Sequence, residues 1–428
     1  MKVLILTSPS PYRRAGIVAK DLFDSLRAKG IETRMLVKVW ANHSDDHIKS
    51  VENSYIHFRN RLISKIFRVT RKVLGLKSNA TPINTKYHVQ DIDQTKTKYK
   101  SKLLLKKFDF EPDIILVLFM HDFLSFKNIH EFSKETNAKL FLFPMDMSPF
   151  TGACHFAWDC LKYTKECGEC PAIYSKELND HSRKNLFFKR KYSHKTDLTL
   201  IIGNKFVAEQ AAASAIFKDK KIISGIYPVP DKTIFHKKDS TSCKERFGID
   251  PSKKVFFIGS ASFKDIRKGM HELAQALLML DQNNPEFKKD IVLLVAGLNS
   301  NVLTSLVPLE CVQIDFITNY NELAEAYNAA DFYISPSLED SGPTMVVQSI
   351  LCGTPVISFN FGFSMEYIIH GESGFTSDEK TIEALCGLIK QAIEQDPEQF
   401  KKMEAKVISI AQTISQEESI NNLIKLFN

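Results

Sequence analysis

Short apolar runs alternate with helix-like segments along the first half of the chain. Residues 3–6 and 33–37 predict strands on either side of a helix over residues 17–29. This order is typical of the crossover unit of a parallel sheet. Unbroken apolar runs, typical of a sheet that helices cover on both faces, predict further strands at 112–119, 139–146, 197–203 and 221–226.

The same alternation begins again in the second half, after a segment that contains prolines. The sequence "YPVPDKTIF" and the polar residues up to 242 predict a linker between domains. Strands are then predicted at 253–262, 290–297, 312–317, 331–337 and 354–359, with helices at 269–281, at 320–329 and after residue 340.

With 428 residues, the chain is too long for one ordinary hydrophobic core. We therefore predict two Rossmann-like domains, residues 1–225 with a cysteine-rich insertion at 150–171, and residues 226–395. Residues 396–428 have a helical pattern only, and we predict a tail that crosses back to the first domain.

Composition indicates a globular protein, because 44% of the residues are hydrophobic and no apolar run approaches the roughly 20 residues of a membrane span. The opening "MKVLILTSPSPYRR" has too short an apolar core for a signal peptide, so we expect a cytoplasmic location. The net charge of +7 is mild, and no nucleic-acid-binding motif accompanies it.

The positive charge is concentrated in residues 59–77, which hold seven basic residues and no acidic one. Apolar residues are interleaved among them at helix-like spacing. The segment fits a basic amphipathic helix on the inner face of an anionic membrane, or a solvated helix that packs on the domain.

Two adjacent cations, Arg267 and Lys268, precede Gly269 at the predicted start of a helix. Cations beside the free backbone N–H groups of a helix start form a natural site for a diphosphate. The alternative is a pair of exposed basic residues at the end of a loop.

A second predicted helix start lies in "PSLEDSGPTMVVQSILCGTPV", after an apolar strand. Pro343 suits the first turn, Ser341 can cap the helix, and the N–H groups of Thr344 and Met345 would face an anion. Gln348 lies about one turn farther along the same face.

Four of the eight cysteines fall within 17 residues. In a cytoplasmic protein, a cluster that includes Cys-x-x-Cys favours a structural zinc site, with reduced thiols or disulfides as alternatives. The four candidate ligands are Cys154, Cys160, Cys167 and Cys170.

On the motifs "RKG" at 267–269, "DSGPTMVVQSILCGTPV" at 340–356 and "MEYIIHGESGF" at 365–375, the chain resembles the retaining glycosyltransferases of family 4, which have the GT-B fold. The segment "MDMSPFTGACHFAWDCLKYTKECGECP" in the first half is similar to one found in bacterial capsule, colanic-acid and O-antigen transferases. The resemblance implies an α/β protein with two Rossmann-like domains facing a deep cleft.

The resemblance also implies roles for particular residues. Lys268, Arg267 and Asp340 would be catalytic, with Lys268 neutralising the diphosphate of a nucleotide-sugar donor, and no catalytic divalent metal is expected. Donor-binding residues would be Gly16, Gly259, Ser262, Glu339, Gly342, Thr344, Met345 and Gln348, and residues on the acceptor side would be Met145, Asp146 and His121.

Three positions depart from the family's pattern. Gln348 stands where a ribose-binding Glu is usual, Met145 stands in place of a His, and Arg13-Arg14 replace a Gly-Gly pair. Front-face transfer with retention needs no protein general base, so these changes weaken binding and orientation more than they remove a proton-transfer step.

These observations predict a retaining glycosyltransferase that uses a nucleotide diphosphate sugar and a lipid-linked or surface polysaccharide acceptor. A non-catalytic subunit that binds a nucleotide sugar or a partner transferase is the alternative that the replacements at Met145 and Gln348 favour. A nucleotide-sugar epimerase or hydrolase is the third class, but the chain lacks an inserted carboxylate cluster of the kind that such an enzyme needs.

Overall fold

The computed structural model describes residues 1–12, 16–39, 45–52 and 81–428, together with 59, 62–63, 65–66 and 69–70. The chain divides into two compact units. Unit 1 comprises Met1–Gly203, Val207–Pro228 and Ile420–Asn428, and unit 2 comprises Asn204–Phe206 and Val229–Ser419.

Unit 1 is built on a seven-stranded parallel sheet with the strand order β3-β2-β1-β4-β5-β6-β7. Its strands are buried apolar runs, which is why they could be recognised in the sequence. The strands are β1 (Lys2–Thr7), β2 (Glu32–Val37), β3 (Ile48–Ser50), β4 (Ile114–Val117), β5 (Lys139–Leu142), β6 (Thr199–Ile202) and β7 (Ile222–Ser224). The helices are α1 (Gly16–Ala28), α2 (Ser101–Leu105), α3 (Phe126–Glu135), α4 (His181–His194) and α5 (Lys205–Ala213). The first two residues of α5 group with unit 2.

Unit 2 has a six-stranded parallel sheet with the order β10-β9-β8-β11-β12-β13. Its strands are β8 (Lys254–Ser262), β9 (Ile291–Leu298), β10 (Glu310–Ile314), β11 (Phe332–Ser335), β12 (Val356–Phe359) and β13 (Gly374–Ser377). Its helices are α6 (Ser240–Arg246), α7 (Met270–Asn283), α8 (Asn301–Thr304), α9 (Tyr320–Ala329), α10 (Thr344–Leu351), α11 (Phe363–Tyr367), α12 (Ile382–Ile393) and α13 (Pro397–Thr413). The last helix, α14 (Gln416–Phe427), passes from unit 2 into unit 1.

Short 3-10 helices lie in the connections, at Thr85–Tyr87, Ser148–Phe150, Lys162–Thr164, Pro171–Ile173, Ile266–Lys268 and Pro285–Lys289. In both sheets the strand order reverses once, between β1 and β4 in unit 1 and between β8 and β11 in unit 2. Ligands of doubly wound proteins bind at the carboxyl ends of the strands at such a point. We therefore expect binding residues near these two reversal points.

The C-terminal segment differs from the predicted tail. Residues 396–419 group with unit 2, and α13 begins there at a capping box formed by Asp396 and Gln399. Only residues 420–428 group with unit 1, where Leu423 and Phe427 are buried in the core of the sheet. The short edge strand β3 lies in the stretch 40–105, where the sequence had few signals.

Candidate functional site

Two loops of unit 2 meet where the strand order reverses. The loop after β8 contains the 3-10 turn Ile266–Lys268, and the loop after β11 contains residues 336–343. The backbone N–H of Leu338 donates to the carbonyl of Arg267 at 2.7 Å, so the two loops are hydrogen-bonded to each other. This contact brings together residues that are about 70 positions apart in the sequence.

Lys268 is the cation that this arrangement presents. Its Nζ donates to Oδ2 of Asp340 at 2.5 Å, and about a quarter of the side chain is exposed. Gly269 follows with φ of 65°, a left-handed conformation that ends the turn and starts α7 without a side-chain cap. The structure thus brings together Lys268 and Asp340, and their role at a phosphate stays a prediction.

Arg267 is buried, and the alternative of an exposed cation pair does not describe it. Its guanidinium forms an ion pair with Asp265 at 2.6 Å and donates to the carbonyl of Glu339 at 3.3 Å. Asp340 lies 3.7 Å from the same guanidinium. Arg267 therefore holds the two loops together, while its predicted assistance at a phosphate stays a prediction.

Helix α10 begins differently from the prediction. Pro343 is the cap residue rather than part of the first turn, and no side chain caps the helix. The hydroxyl of Ser341 is buried and makes no hydrogen bond, so Ser341 is not the cap. The uncapped N–H groups at Thr344 and Met345 remain available to an anion.

Close contacts with Asn204 hold the loop before α10 in place. Gly342 has φ of 109°, and a Cβ there would lie 2.4 Å from Nδ2 of Asn204. That amide donates to the carbonyl of Ser341 at 2.8 Å, and Asn204 is buried. Asn204 was not recognised as a site residue from the sequence. The one feature that could have marked it is its position as a polar residue just after β6.

Gln348 is buried on α10, and its Oε1 accepts a hydrogen bond from the Tyr327 hydroxyl at 3.2 Å. Burial raises the pKa of Tyr327 well above its usual value, so the hydroxyl is a constant donor. The tyrosine partner was not predicted, because it comes from the preceding helix α9. One amide oxygen lone pair of Gln348 is used inside the protein.

The other predicted donor residues lie around this centre. Gly259 faces Met345, whose Cε would lie 2.3 Å from a Cβ at position 259, so a side chain there would displace the end of Met345. Ser262 ends β8, and its hydroxyl accepts from the Lys264 N–H at 3.3 Å. Thr344 is exposed at the start of α10.

Unit 1 has its own polar cluster beyond the ends of β1, β4 and β5. Asp146 accepts from Nδ1 of His155 at 2.8 Å, and the ring centroids of His155 and His121 are 5.8 Å apart. The Ser8 hydroxyl lies 3.2 Å from Nε2 of His121. Nε2 of His155 is buried without a partner. His155, which was not among the predicted site residues, therefore links the two predicted residues His121 and Asp146.

Within this cluster the pKa values of His121 and Asp146 are shifted from their usual values. Burial, with a smaller contribution from His155, lowers the pKa of His121 to about 4, so its imidazole is neutral at physiological pH. Burial alone would raise the pKa of Asp146, but His155 and the Ser148 hydroxyl and N–H lower it to about 2. Asp146 is therefore a fixed carboxylate that orients His155.

Replacing Asp146 with Asn is expected to lower the free energy of unfolding by about 2 kcal/mol at pH 7, since its pKa is depressed by nearly two units. A depressed carboxyl pKa stabilises the fold above the unfolded value near 4 and loses that effect as the pH falls toward 2. Urea denaturation of both proteins between pH 7 and pH 2.5 measures the difference. Asp219→Asn, an exposed position, is the control. A cost that stays constant across this pH range would mean that packing, not charge, is responsible.

Met145 packs half-buried against the core of unit 1 and contributes no polar group to the cluster. Gly16 starts α1 where a Cβ would lie 1.8 Å from the carbonyl oxygen of Ser10, so the backbone passes too closely for any side chain. Arg13 and Arg14 lie outside the described residues, as does most of the basic segment 59–77.

The predicted zinc site at the cysteine cluster is not supported. Cys154, Cys160, Cys167 and Cys170 are free thiols that line one small cavity, but among the described residues no group of three His, Cys, Asp or Glu side chains is placed to hold a metal. Burial raises the pKa of Cys154 to about 12 and raises that of Cys167 as well, whereas zinc binds thiolates. The thiols of Cys154 and Cys170 pack as apolar groups against Ala153 and Ile173.

Comparison with known proteins finds a family similarity within unit 2. Residues 241–414 match the family model "Glycosyl transferases group 1". The N-acetyl-alpha-D-glucosaminyl L-malate synthase of Bacillus anthracis is 23% identical over 214 residues, 49% of this chain and 53% of that protein. A D-inositol 3-phosphate glycosyltransferase of Pseudarthrobacter chlorophenolicus is 27% identical over 158 residues, 35% of this chain and 37% of that protein. The chain spans about half the length, or less, of these curated relatives.

Solved structures share the fold over the whole chain. Sucrose-phosphate synthase from Thermosynechococcus elongatus has a TM-score of 0.64 at 13% identity, covering 100% of this chain and 98% of that one. WaaG, a glycosyltransferase involved in lipopolysaccharide biosynthesis, has a TM-score of 0.62 at 14% identity, with 100% of both chains covered. Anabaena Alr3699/HepE in complex with UDP has a TM-score of 0.59 at 17% identity and covers 100% of this chain and 99% of that one.

The two parallel-sheet, Rossmann-like units thus have the GT-B fold, and residues 241–414 match the model of the glycosyl transferases group 1 family.

Proposed function

We propose that the protein transfers a sugar from a nucleotide diphosphate sugar to an acceptor hydroxyl, with retention of the anomeric configuration. The observation that carries this proposal is the Lys268–Asp340 pair beside the uncapped start of α10, inside the glycosyl transferases group 1 domain. A cation and free N–H groups directed at one place suit the charge that develops on a leaving diphosphate. The complex of Alr3699/HepE with UDP and glucose supports this class of donor.

In this proposal, Lys268 moves from Asp340 onto the diphosphate when the donor binds. Asp340 keeps Lys268 near the site and is itself restrained by the Arg267 guanidinium. The loop 340–345 holds the sugar and β-phosphate. No protein general base is required, because the leaving phosphate takes the proton of the acceptor hydroxyl.

Gln348 contacts the ribose of the donor in this proposal. Because its Oε1 already accepts from Tyr327, the Nε2 amide hydrogens are the main groups left for the ribose oxygens. Gln348 then binds the ribose more weakly than a carboxylate would, since a neutral amide lacks the charge-assisted hydrogen bond. The replacement lowers donor affinity without removing the phosphate site.

Replacing Gln348 with Glu is expected to lower the KM for the donor by about tenfold with kcat nearly unchanged, because ribose binding is the same in the ground and transition states. Tyr327 can still donate to the new carboxylate. Steady-state kinetics with varied donor concentration measures the change. Gln348→Met should raise KM, and the exposed Gln391→Glu should leave it unchanged. If the wild type, Gln348→Glu and Gln348→Met have equal KM values, position 348 does not contact the ribose.

We further propose that the acceptor is a lipid-linked or surface polysaccharide glycan and that the protein contacts the inner membrane face peripherally. Leu62, Ile63, Ile66 and Val69 of the basic segment are exposed apolar side chains. Exposed apolar groups among lysines and arginines suit an anionic lipid surface. In the described part of the chain, no helix is long and apolar enough to cross a membrane.

A panel of nucleotide diphosphate sugars in a thermal-shift assay, followed by transfer assays with lipid-linked acceptors, tests the function. We expect one or a few donors to raise Tm and one of these to be transferred, with NMR of the product showing retention. If no donor raises Tm, the donor-site proposal fails. Binding without transfer to any acceptor would favour the non-catalytic subunit, the second candidate, which the buried amide at Gln348 and the apolar Met145 favour.

A further inference from the structure

Unit 1 contains an open cavity at the carboxyl edge of its sheet, with an empty volume of about 480 Å³. The loops after β4 and β5, the start of α3, the segment 91–98 and Lys189 of α4 form its walls. Its polar lining residues include Gln94, Lys96, Lys98, His121, Ser125 and Lys189. The cavity lies at the edge of the sheet where doubly wound proteins bind their ligands.

The lining of this cavity carries an excess of positive charge. Three lysines line it, and the single carboxylate among the lining residues is Asp91. Lys96 and Lys98 form ion pairs with Asp93 and Asp122, two residues outside the lining. His121 adds no charge, because its pKa of about 4 keeps it neutral.

Lys189 is the unusual member of this set because it is buried. Only 3% of it is exposed, and its Nζ donates to the carbonyls of Ser148 at 2.6 Å and Thr151 at 2.9 Å. Within the described ranges, no carboxylate lies within 4 Å of Nζ, although Asp146 and Asp91 are near enough to act on it weakly. Burial lowers the pKa of Lys189 to about 8, so the ammonium form still predominates at pH 7.

A buried ammonium without a counter-ion is costly, and an anion in the adjoining cavity would compensate it. The N-terminus of the ten-residue helix α3, capped by Ser125, adds positive potential at the same wall. A neutral sugar would gain hydrogen bonds from this lining but would leave the charge of Lys189 uncompensated. The observations therefore favour an anionic group over a neutral one.

We propose that the cavity holds a phosphate group carried by the acceptor, with Lys189 as its main cationic partner and Lys96 and Lys98 at the rim. This inference rests on the proposed function, since it describes the acceptor of that reaction. It concerns binding in unit 1 alone, so it can be tested without any transfer. The acceptor is then a hydroxyl compound that bears a phosphate, either a soluble molecule or a lipid with a phosphate next to the group that is glycosylated.

Phosphorus NMR titrations with glycerol 3-phosphate and inorganic phosphate test the site. The background variant Lys268→Ala removes the competing phosphate site of unit 2. We expect Lys189→Met in this background to weaken binding of both probes at least about tenfold, the effect of losing one charge-assisted hydrogen bond. Lys134→Met, at the far end of α3 and exposed, is the matched control for the lost charge. Equal affinity in the Lys189 and Lys134 variants, or glycerol competing as well as glycerol 3-phosphate, overturns the proposal.

Thermal unfolding shows whether the Lys189→Met variant is folded. Methionine fills the volume without a buried charge but leaves the carbonyls of Ser148 and Thr151 without their donor, so its Tm without phosphate is expected to be lower than that of the wild type. In the Lys268→Ala background, phosphate at ionic strength matched with chloride should raise Tm, and it should no longer do so when Lys189→Met is added. If Lys189→Met does not fold, Lys98→Met replaces it at the rim, with an expected loss of about threefold in phosphate affinity.

Vesicles distinguish the two sources of the phosphate. Co-sedimentation with phosphatidic acid vesicles but not phosphatidylcholine vesicles, lost in Lys189→Met, indicates a phosphate on a lipid. Binding of glycerol 3-phosphate without such co-sedimentation indicates a soluble acceptor. Binding of neither probe overturns the proposal, even if nucleotide sugars still raise Tm and the proposed function stands.

Discussion

Replacing Lys268 with Ala is expected to lower kcat/KM for the donor by about 100- to 1,000-fold, the effect of losing one strong charge-stabilising donor in an active site. In the wild type, Nζ of Lys268 is 2.5 Å from Asp340, at the loop that precedes α10. Without it, the diphosphate would meet the Asp340 carboxylate, and the neighbouring Arg267 guanidinium is already engaged by Asp265.

The measurement is initial-rate kinetics for the donor that the thermal-shift panel identifies. Lys264→Ala, an exposed lysine four residues earlier in the same loop, is the matched control and should keep wild-type rates. Asp340→Asn frees Lys268 without removing the cation. It therefore separates the loss of the cation from the loss of the Lys268–Asp340 ion pair. If Lys268→Ala binds and transfers the donor as the wild type does, the phosphate site lies elsewhere.

Replacing Gly269 with Ala is expected to lower the free energy of unfolding by at least about 3 kcal/mol. Two physical effects combine in this change. A left-handed conformation such as its φ of 65° costs about 1 to 2 kcal/mol for a residue with a Cβ. In addition, the Cβ would lie 1.8 Å from the carbonyl oxygen of Pro336, which is backbone and cannot rotate away.

The same substitution should also reduce activity, because the clash separates the loop of Lys268 from the loop of Asp340. Gly371→Ala is the control: φ is 79° there, but a Cβ would meet nothing within 4 Å, so only the conformational cost of about 1 to 2 kcal/mol is expected. Urea denaturation of both variants gives the difference. Equal costs at positions 269 and 371 would show that the two loops can separate freely.

The parallel sheets could be predicted because their signal is local. Apolar runs such as those of β4 and β9 are continuous, and helices such as α1 and α9 follow the 3.6-residue period. The edge strand β3 was missed because it is only three residues long and partly polar. The C-terminal helices were recognised as helices, but which unit each joins depends on packing that no local pattern contains.

The candidate donor site was predicted in part. Lys268, Asp340 and the start of α10 could be found because a resemblance in motif marked them. The cap of that helix was assigned wrongly, since whether Ser341 or Pro343 occupies the cap position depends on how Gly342 packs against Asn204. The zinc prediction failed for a similar reason, because spacing cannot show whether four thiols point to one metal or pack into apolar surroundings.

The two-domain α/β architecture was predictable from local patterns, and a resemblance in motif marked the cation and the carboxylate at the reversal point of unit 2. Three features required the packed structure: Arg267 connects two loops internally, Tyr327 donates to the amide oxygen of Gln348, and Lys189 is a buried cation beside a cavity. The physical reason is that periodicity reports which face of an element is buried. Partners, by contrast, come from elements far apart in the chain, and their distances decide which charges are compensated and which remain for a ligand.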